Sequence, residues 1–266
     1  MTATTPAAGP LLREWRRRRR FSQLDLALAA GTSSRHLSYV ETGRSRPSRD
    51  MVLRLCETLD VPLRERNRVL LGAGHAPVYP DRAEPAARAN LLAVVDRVLA
   101  AHEPWPALVL DADFDVVESN GALRRLLALV DPALLAPPVN VVRVTLHPRG
   151  LAPHVRNLSP WRAHLLRQVR AHAAAAPRPA LDDLLAEVLA YPVPDGVAPD
   201  PEPSAPTPAL PLELRVDGAV LRFLSTVATF GSPLDVAASE LAIETFLPAD
   251  EATRMWLERP VTRPPR

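Results

Sequence analysis

"FSQLDLALAAGTSSRHLSYVETGRSRPS", residues 21–48, predicts two short helices joined by a tight turn. Ser22 can cap the first helix, and Gly31 ends it at a position that favours a left-handed backbone. Thr32 is the candidate cap of the second helix, in which apolar residues recur at helical spacing and point inward. Two short helices with a glycine turn between them are typical of a helix-turn-helix unit.

The flanking sequence extends this unit to five helices. Pro10 suits the start of a first helix over residues 10–19, and Ser48 can cap a fourth. The stretch VPLRERNRVLLGAG, residues 61–74, predicts the fifth. Five consecutive arginines, Arg16–Arg20, fall in the last turn of the first helix, where cations complement the helix dipole. We therefore interpret these arginines as part of a folded domain rather than as a loose tail or a targeting signal.

Charge is unevenly distributed along the chain. Residues 1–75 carry 14 Arg and 7 Asp or Glu, which gives +7, and residues 76–266 carry 18 Arg and 23 Asp or Glu, which gives −5. The two parts add up to the +2 of the whole chain. A basic first quarter is typical of a module that binds a polyanion.

Composition excludes several other classes of protein. The single cysteine, Cys56, excludes an internal disulfide framework. No apolar run reaches the roughly 18 residues of a membrane span, and the N-terminus lacks the apolar core of a secretion signal. We expect a cytoplasmic protein that does not bind membranes.

The helix-turn-helix stretch resembles the Xre, or phage-repressor-like, class of transcription regulators. The residues that carry the resemblance are Ser22-Gln23, Leu26-Ala27, Ala30-Gly31, Leu37-Ser38, Val40-Glu41, Gly43-Arg44 and Pro47-Ser48. The resemblance implies that the third helix enters the major groove of duplex DNA and presents its first side chains to base edges. It also implies a homodimer on a near-palindromic operator whose half-sites lie about one helical turn apart.

Position along the motif assigns the DNA contacts. Arg35 is the candidate for a bidentate bond to guanine, and Gln23 resembles the family's phosphate and base-edge contact. Arg44 and Arg46 should follow the DNA backbone and give affinity without sequence information. Glu41 is interpreted as structural. The predicted DNA-binding residues are Gln23, Ser33, Ser34, Arg35, Tyr39, Arg44 and Arg46. A helical bundle that binds protein is the alternative.

The remaining sequence predicts a second domain of the α+β class. We predict a helix-turn-helix domain over residues 1–75, a linker over 76–85 and the second domain over 86–266, with a proline-rich flexible loop at 192–211. A hairpin lies before its helices, and three strands follow them at about 212–216, 219–230 and 239–247. This order predicts a five-stranded antiparallel sheet with covering helices.

Three stretches of this second domain resemble the ligand-binding domain of MmyB-like transcription regulators, which is PAS-like. They are PALVLDADFDVVESN at 106–120, HPRGLAPHVRNLSPW at 147–161, and LRFLSTVATFGSPLDVAASELAIETFLPAD at 221–250. The resemblance implies a sensor with an apolar interior pocket for a fatty-acyl-like molecule and no resident cofactor.

The predicted pocket combines apolar and polar residues. Arg143 or His147 could hold a carboxylate head group, although residues 147–150 also suit a turn. The predicted ligand-binding residues are Leu108, Leu110, Leu123, Leu127, Arg143, His147, Trp161, Phe223 and Phe230. Each apolar member could instead be ordinary core.

Catalytic and metal-binding patterns are weak in this sequence. Asp111, Asp113 and Asp115 lack the glycine and the late glutamate of a calcium loop, so a solvated turn is favoured. The histidines lack zinc-ligand spacing. We expect neither an enzyme nor a metal protein. Two hypotheses remain: a DNA-binding regulator controlled by a small apolar ligand, and a DNA-binding regulator whose second domain is only a platform for protein interaction or dimerisation.

Overall fold

The computed structural model describes residues 6–80, 85–176, 178–192, 209–231, 233 and 235–259. The chain divides into two compact units. The first, here called the headpiece, comprises Met1–Pro85 and Gly231–Ser239, and the second, the sheet unit, comprises Ala86–Phe230 and Glu240–Arg266. The division predicted from the sequence was linear, so it did not place residues 231–239 with the headpiece.

Five helices form the body of the headpiece, as the sequence predicted. They are α1 (Ala8–Arg18), α2 (Gln23–Ala29), α3 (Ser34–Glu41), α4 (Arg49–Thr58) and α5 (Leu63–Gly72). Leucines from all five are almost fully buried and form its core: Leu12, Leu26, Leu37, Leu55 and Leu70. Gly31 has φ +64°, the left-handed conformation that the turn between α2 and α3 requires.

Side-chain caps fix where α2, α3 and α4 begin. Ser22 forms a capping box with Asp25, and Ser48 Oγ accepts a hydrogen bond from Met51 N at 3.2 Å, both as predicted. The predicted cap of α3 was wrong by one residue, because Ser33 Oγ accepts from His36 N at 3.1 Å. Thr32 N instead donates to Ala27 O and so belongs to the turn that ends α2.

The sheet unit is built on a five-stranded antiparallel sheet in the order β2-β1-β5-β4-β3. The strands are β1 (Ala107–Leu110), β2 (Val116–Ser119), β3 (Leu212–Val216), β4 (Ala219–Thr229) and β5 (Ala242–Pro248). This is the predicted sheet, although the last strand begins at Ala242 rather than at about residue 239 because a helical turn comes first.

Helices cover both faces of this sheet. The remaining helices are α6 (Pro85–Ala101), α7 (Gly121–Leu127), α8 (Val141–Leu146), α9 (Leu158–Ala175), α10 (Pro179–Leu189) and α12 (Glu251–Leu257), together with α11 (Val236–Ser239), which belongs to the headpiece. The larger core lies between one sheet face and helices that include α9 and α10. On the opposite face, Val95 and Leu99 of α6 pack against Val109 and Ile243.

Two further expectations from the sequence concern the proline-rich loop and membrane-spanning helices. Most of the predicted proline-rich loop, residues 193–208, lies outside the described residues. Within the described ranges, every helix is too short or too polar to cross a bilayer.

Candidate functional site

The outer face of α3 exposes the side chains predicted to meet DNA. Ser33, Ser34 and Arg35 are exposed, whereas Leu37 and Val40 on the opposite side are buried. Arg35 Nε donates to the hydroxyl of Tyr39 at 3.2 Å, and its guanidinium carbon lies 5.6 Å from the centre of the Tyr39 ring. One turn of α3 therefore presents an arginine and a tyrosine together.

A buried ion pair holds α3 in place. Arg16 donates to both carboxylate oxygens of Glu41, at 2.6 and 2.9 Å, and Gln23 Nε2 donates to Glu41 Oε2 at 2.8 Å. The Glu41 side chain is only 1% exposed. Burial by itself raises the pKa of Glu41, but the hydrogen bonds from Arg16 and Gln23 outweigh it, so the pKa lies below its ordinary value. Three side chains thus tie α1, α2 and α3 together.

The other predicted DNA contacts have different surroundings. Gln23 is half-buried, and its amide nitrogen bonds Glu41. Arg44 is exposed just after α3. Arg46 bonds the backbone oxygens of Ala73 and Gly74, at 2.6 and 2.7 Å, where α5 ends. The structure therefore groups Ser33, Ser34, Arg35 and Tyr39 on α3, while Gln23 and Arg46 are engaged within the headpiece.

Sequence reasoning missed the structural use of two arginines in the run Arg16–Arg20. Arg19 bonds the backbone oxygens of Leu59 and Asp60, at 2.9 and 2.7 Å, while Arg16 holds Glu41. The available signal was the helical spacing that puts Arg16 and Arg19 on the same side as Leu12 and Trp15.

The sheet unit contains an apolar cavity of about 60 Å³. It lies between the sheet and the helices of the larger core. Its lining is Leu108, Phe114, Val116, Leu123, Leu126, Leu127, Val139, Val141, Val144, Thr145, Leu151, Trp161, Leu165, Gln168, Leu212, Leu214, Phe223, Glu244 and Phe246. The predicted ligand-binding residues found in this lining are Leu108, Leu123, Leu127, Trp161 and Phe223.

The remaining predicted ligand-binding residues lie outside that lining. Leu110 is buried in the surrounding core, and Phe230 packs with the α6 cluster on the opposite face of the sheet. Arg143 makes two bonds of 2.8 Å to Glu187, which also accepts from the hydroxyl of Tyr191. The His147 ring centre lies 5.0 Å from that of Tyr191. Arg143 and His147 thus belong to a polar cluster with Glu187.

The polar groups that do line the cavity are Thr145, Gln168 and Glu244. Thr145 Oγ1 donates to Val141 O at 2.7 Å, and Gln168 Nε2 lies 3.0 Å from His164 Nε2. Glu244 accepts from Ser225 Oγ at 2.5 Å. Sequence reasoning missed Glu244; the available signal was strand alternation, which puts it on the same face of β5 as Phe246.

The acidic run between β1 and β2 forms a turn. Asp111 Oδ1 accepts hydrogen bonds from the backbone N–H groups of Asp113 and Asp115, at 2.9 Å each. Burial raises the pKa of Asp111, and these two bonds offset part of the rise. Over the ranges that the structure covers, His, Cys, Asp and Glu form no group suited to hold a metal ion.

A helix-turn-helix unit with an exposed second helix, followed by a sheet unit with an internal cavity, is the architecture expected of a DNA-binding regulator with a ligand-binding domain. Comparison with family models agrees: residues 7–69 match a helix-turn-helix domain. Residues 91–259 match the ligand binding domain of MmyB-like transcription regulators, which is more than half of the chain. The chain therefore belongs to the MmyB-like transcription regulators.

Two other comparisons add little. A search of curated proteins gave no match. A solved structure described as an RNA-binding light-oxygen-voltage receptor is 16% identical, with a TM-score of 0.30 over 95% of this chain and 60% of its own. At that TM-score the likeness supports no conclusion about fold or function.

Proposed function

We propose that this regulator reads duplex DNA with the leading side chains of α3. The observation that carries the proposal is the exposure of Ser33, Ser34 and Arg35 at the start of a helix whose other side is fixed by buried apolar residues and by Glu41. A guanidinium on such a helix can bond O6 and N7 of guanine together. Tyr39, stacked beside Arg35, restricts the conformations of that side chain before DNA binds.

Backbone contacts would come from the exposed arginines near α3. Arg44 follows the helix directly and is exposed, so we assign it to a phosphate. Gln23 and Arg46 already donate hydrogen bonds within the headpiece. Each would contact DNA only through the N–H groups that those bonds do not use. We propose a homodimer on a near-palindromic operator with half-sites about one helical turn apart.

Selection from a random duplex pool tests this assignment. With Arg35→Ala, we expect relaxed preference at one base position, worth about 1–3 kcal/mol of discrimination. With Arg44→Ala, we expect weaker binding to every duplex. The slope of log affinity against log salt concentration should become shallower by about one, the contribution of one phosphate contact. Arg54→Ala, an exposed arginine on α4, is the control. An unchanged selected motif after Arg35→Ala would contradict the assignment of the reading residue.

We propose that the cavity of the sheet unit binds a small apolar ligand that changes operator affinity. Leu108, Leu123, Leu127, Trp161 and Phe223 would contact the apolar body, and a fatty-acyl chain is one candidate. Control requires that the ligand bind two states of the protein with different affinities, since equal affinity shifts nothing. The small size of the cavity favours either a compact ligand or a cavity that widens on binding.

Native mass spectrometry of the purified chain and thermal melting across a lipid and fatty-acid panel test the sensor. We expect either a co-purified apolar molecule or a raised melting temperature. No added mass together with no melting shift would favour the second hypothesis, a sheet unit that serves only protein interaction or dimerisation.

A further inference from the structure

The lining of the cavity in the sheet unit includes one ionisable residue, which is an acid. The polar lining residues are Thr145, Gln168 and Glu244. Among the described residues that line the cavity, none is an arginine or a histidine, and the chain contains no lysine. The charge that a ligand would meet inside this cavity is therefore that of a carboxyl group.

Strand geometry aims Glu244 into the cavity. Side chains alternate along β5, so Glu244 shares a face with Phe246, which lines the cavity, while Ile243 packs on the opposite face. On the neighbouring strand β1, the residue paired with Glu244 is Leu108, another lining residue. Glu244 therefore lines the cavity beside Leu108, and on its other side it pairs with the exposed Val227 of β4.

Hydrogen bonding leaves this carboxyl with acceptor capacity. Ser225 Oγ donates to Oε1 at 2.5 Å, and no other hydrogen-bond partner of Glu244 is found in the described part of the chain. A carboxylate accepts several hydrogen bonds, so Oε2 can accept from a ligand. Burial raises the pKa of Glu244, and the Ser225 bond offsets part of that rise, as expected for an acid without a nearby cation.

These surroundings discriminate between ligand head groups. A ligand carboxylate would lie beside a second acid in a dry site, which disfavours both charges. A ligand ammonium group would instead form a charge-assisted hydrogen bond with Glu244 and hold its carboxyl ionised. An alcohol can donate one bond but supplies no charge. The electrostatics therefore favour an ammonium group over a carboxylate.

We propose that Glu244 anchors the ammonium group of a small primary amine whose apolar body fills the cavity. The proposal rests on the ligand-binding function proposed above and names the class of ligand. A cavity of about 60 Å³ holds about four to six water-sized groups, at roughly 10–15 Å³ each, so the apolar body is short.

Three four-carbon probes, which match the size of the cavity and differ in head group, test the proposal on the whole chain. Butylamine, 1-butanol and butanoate are titrated at pH 7.5, where the amine and the acid are both charged. Binding is followed by calorimetry and by the melting temperature. We expect butylamine to bind at least ten-fold more tightly than butanoate, with butanol between them.

Matched Glu→Gln variants locate the effect. Glu244→Gln keeps the shape of the side chain and an acceptor for Ser225 but removes the charge, so we expect butylamine binding to weaken at least ten-fold and butanol binding to change little. Glu251→Gln, at a side chain that is 64% exposed on α12, is the control and should bind like the wild type.

The outcomes separate this proposal from the one on which it rests. Three results would overturn the amine assignment while leaving a ligand cavity in place: butanoate that binds as tightly as butylamine, butanol that binds more tightly than butylamine, or butylamine binding that Glu244→Gln does not affect. No binding by any of the three probes, with no response to the longer lipid panel, would overturn the ligand-binding function itself.

Discussion

At the scale of single residues, Glu41 shows how a buried charge specifies the headpiece. A carboxylate that is 1% exposed is costly unless it is paired and hydrogen-bonded, and here Arg16 and Gln23 supply three hydrogen bonds. The motif spacing predicted a structural role for Glu41. It did not identify Arg16 as the partner, because helical spacing puts both Arg16 and Arg19 beside the buried face of α1 and only the packed structure shows that Arg16 contacts Glu41.

Removing Arg16 tests this pairing. We expect Arg16→Ala to lower the free energy of unfolding of the headpiece by about 3–5 kcal/mol, because it leaves Glu41 buried without its cation. Arg17→Ala, at an exposed neighbour, should change it by no more than about 0.5 kcal/mol. Urea unfolding of both variants measures the difference. Equal losses would show that the buried pair contributes nothing beyond a surface arginine.

Acid should remove the same contribution. The pKa of Glu41 is lower in the folded protein than in the unfolded chain, so its stabilisation is present above the unfolded value of about 4.3 and is lost as pH falls through the folded value. We therefore expect the stability gap between the wild type and Glu41→Gln to shrink below about pH 4. Urea unfolding at several pH values measures the gap, and a gap independent of pH would contradict the lowered pKa.

At the scale of elements, caps and turns decided which predictions succeeded. The Asp217-Gly218 pair adopts left-handed backbone, with φ +48° and +78°, and closes the β3–β4 hairpin that the sequence indicated. Helix α8 cannot be recognised from the sequence, because six residues are too few to show a helical period. Its start is fixed by Asn140, whose Oδ1 accepts from Arg143 N at 3.2 Å.

Asn120 joins two elements of the sheet unit and gives a prediction at this scale. Its Oδ1 accepts from Ala107 N and Leu123 N, at 3.1 and 3.0 Å, and its Nδ2 donates to Trp105 O at 2.7 Å. We expect Asn120→Ala to cost about 2–4 kcal/mol, because it removes a helix cap and leaves buried backbone groups unsatisfied.

Calorimetry of the sheet unit transition in the whole chain measures this loss. Asn90→Ala, at an exposed position on α6, is the matched control and should be close to neutral. If Asn120→Ala lowers the stability of the sheet unit no more than Asn90→Ala does, the hydrogen bonds of Asn120 do not stabilise it.

At the scale of the whole molecule, the chain divides into units that are not continuous in sequence. Residues 231–239 connect β4 to β5 of the sheet unit, yet they group with the headpiece, where Val236 is fully buried and its N–H donates to Pro80 O at 3.0 Å. Periodicity and composition reveal elements but not which distant segment completes a core, so the sequence predicted a linear boundary. Periodicity predicted part of the apolar lining of the cavity, but it did not predict the acidic lining residue, Glu244.

A substitution at Val236 tests this arrangement. We expect Val236→Ala to lower the stability of the headpiece by about 1–3 kcal/mol, since it removes buried methyl groups from that unit. Val227→Ala, at a valine that is 57% exposed on β4, should leave headpiece stability unchanged. Hydrogen exchange resolved along the chain measures both. Loss of protection confined to the sheet unit would contradict the grouping.

The central claim is that α3 reads base edges in the major groove, and 7-deazaguanine tests it most directly. This base lacks the N7 acceptor but pairs normally, so it can replace each guanine of a selected duplex in turn. We predict a loss of affinity of about five-fold or more at one guanine per half-site for the wild type, and no loss there for Arg35→Ala. Undiminished affinity at every position, or the same loss in both proteins, would contradict the claim.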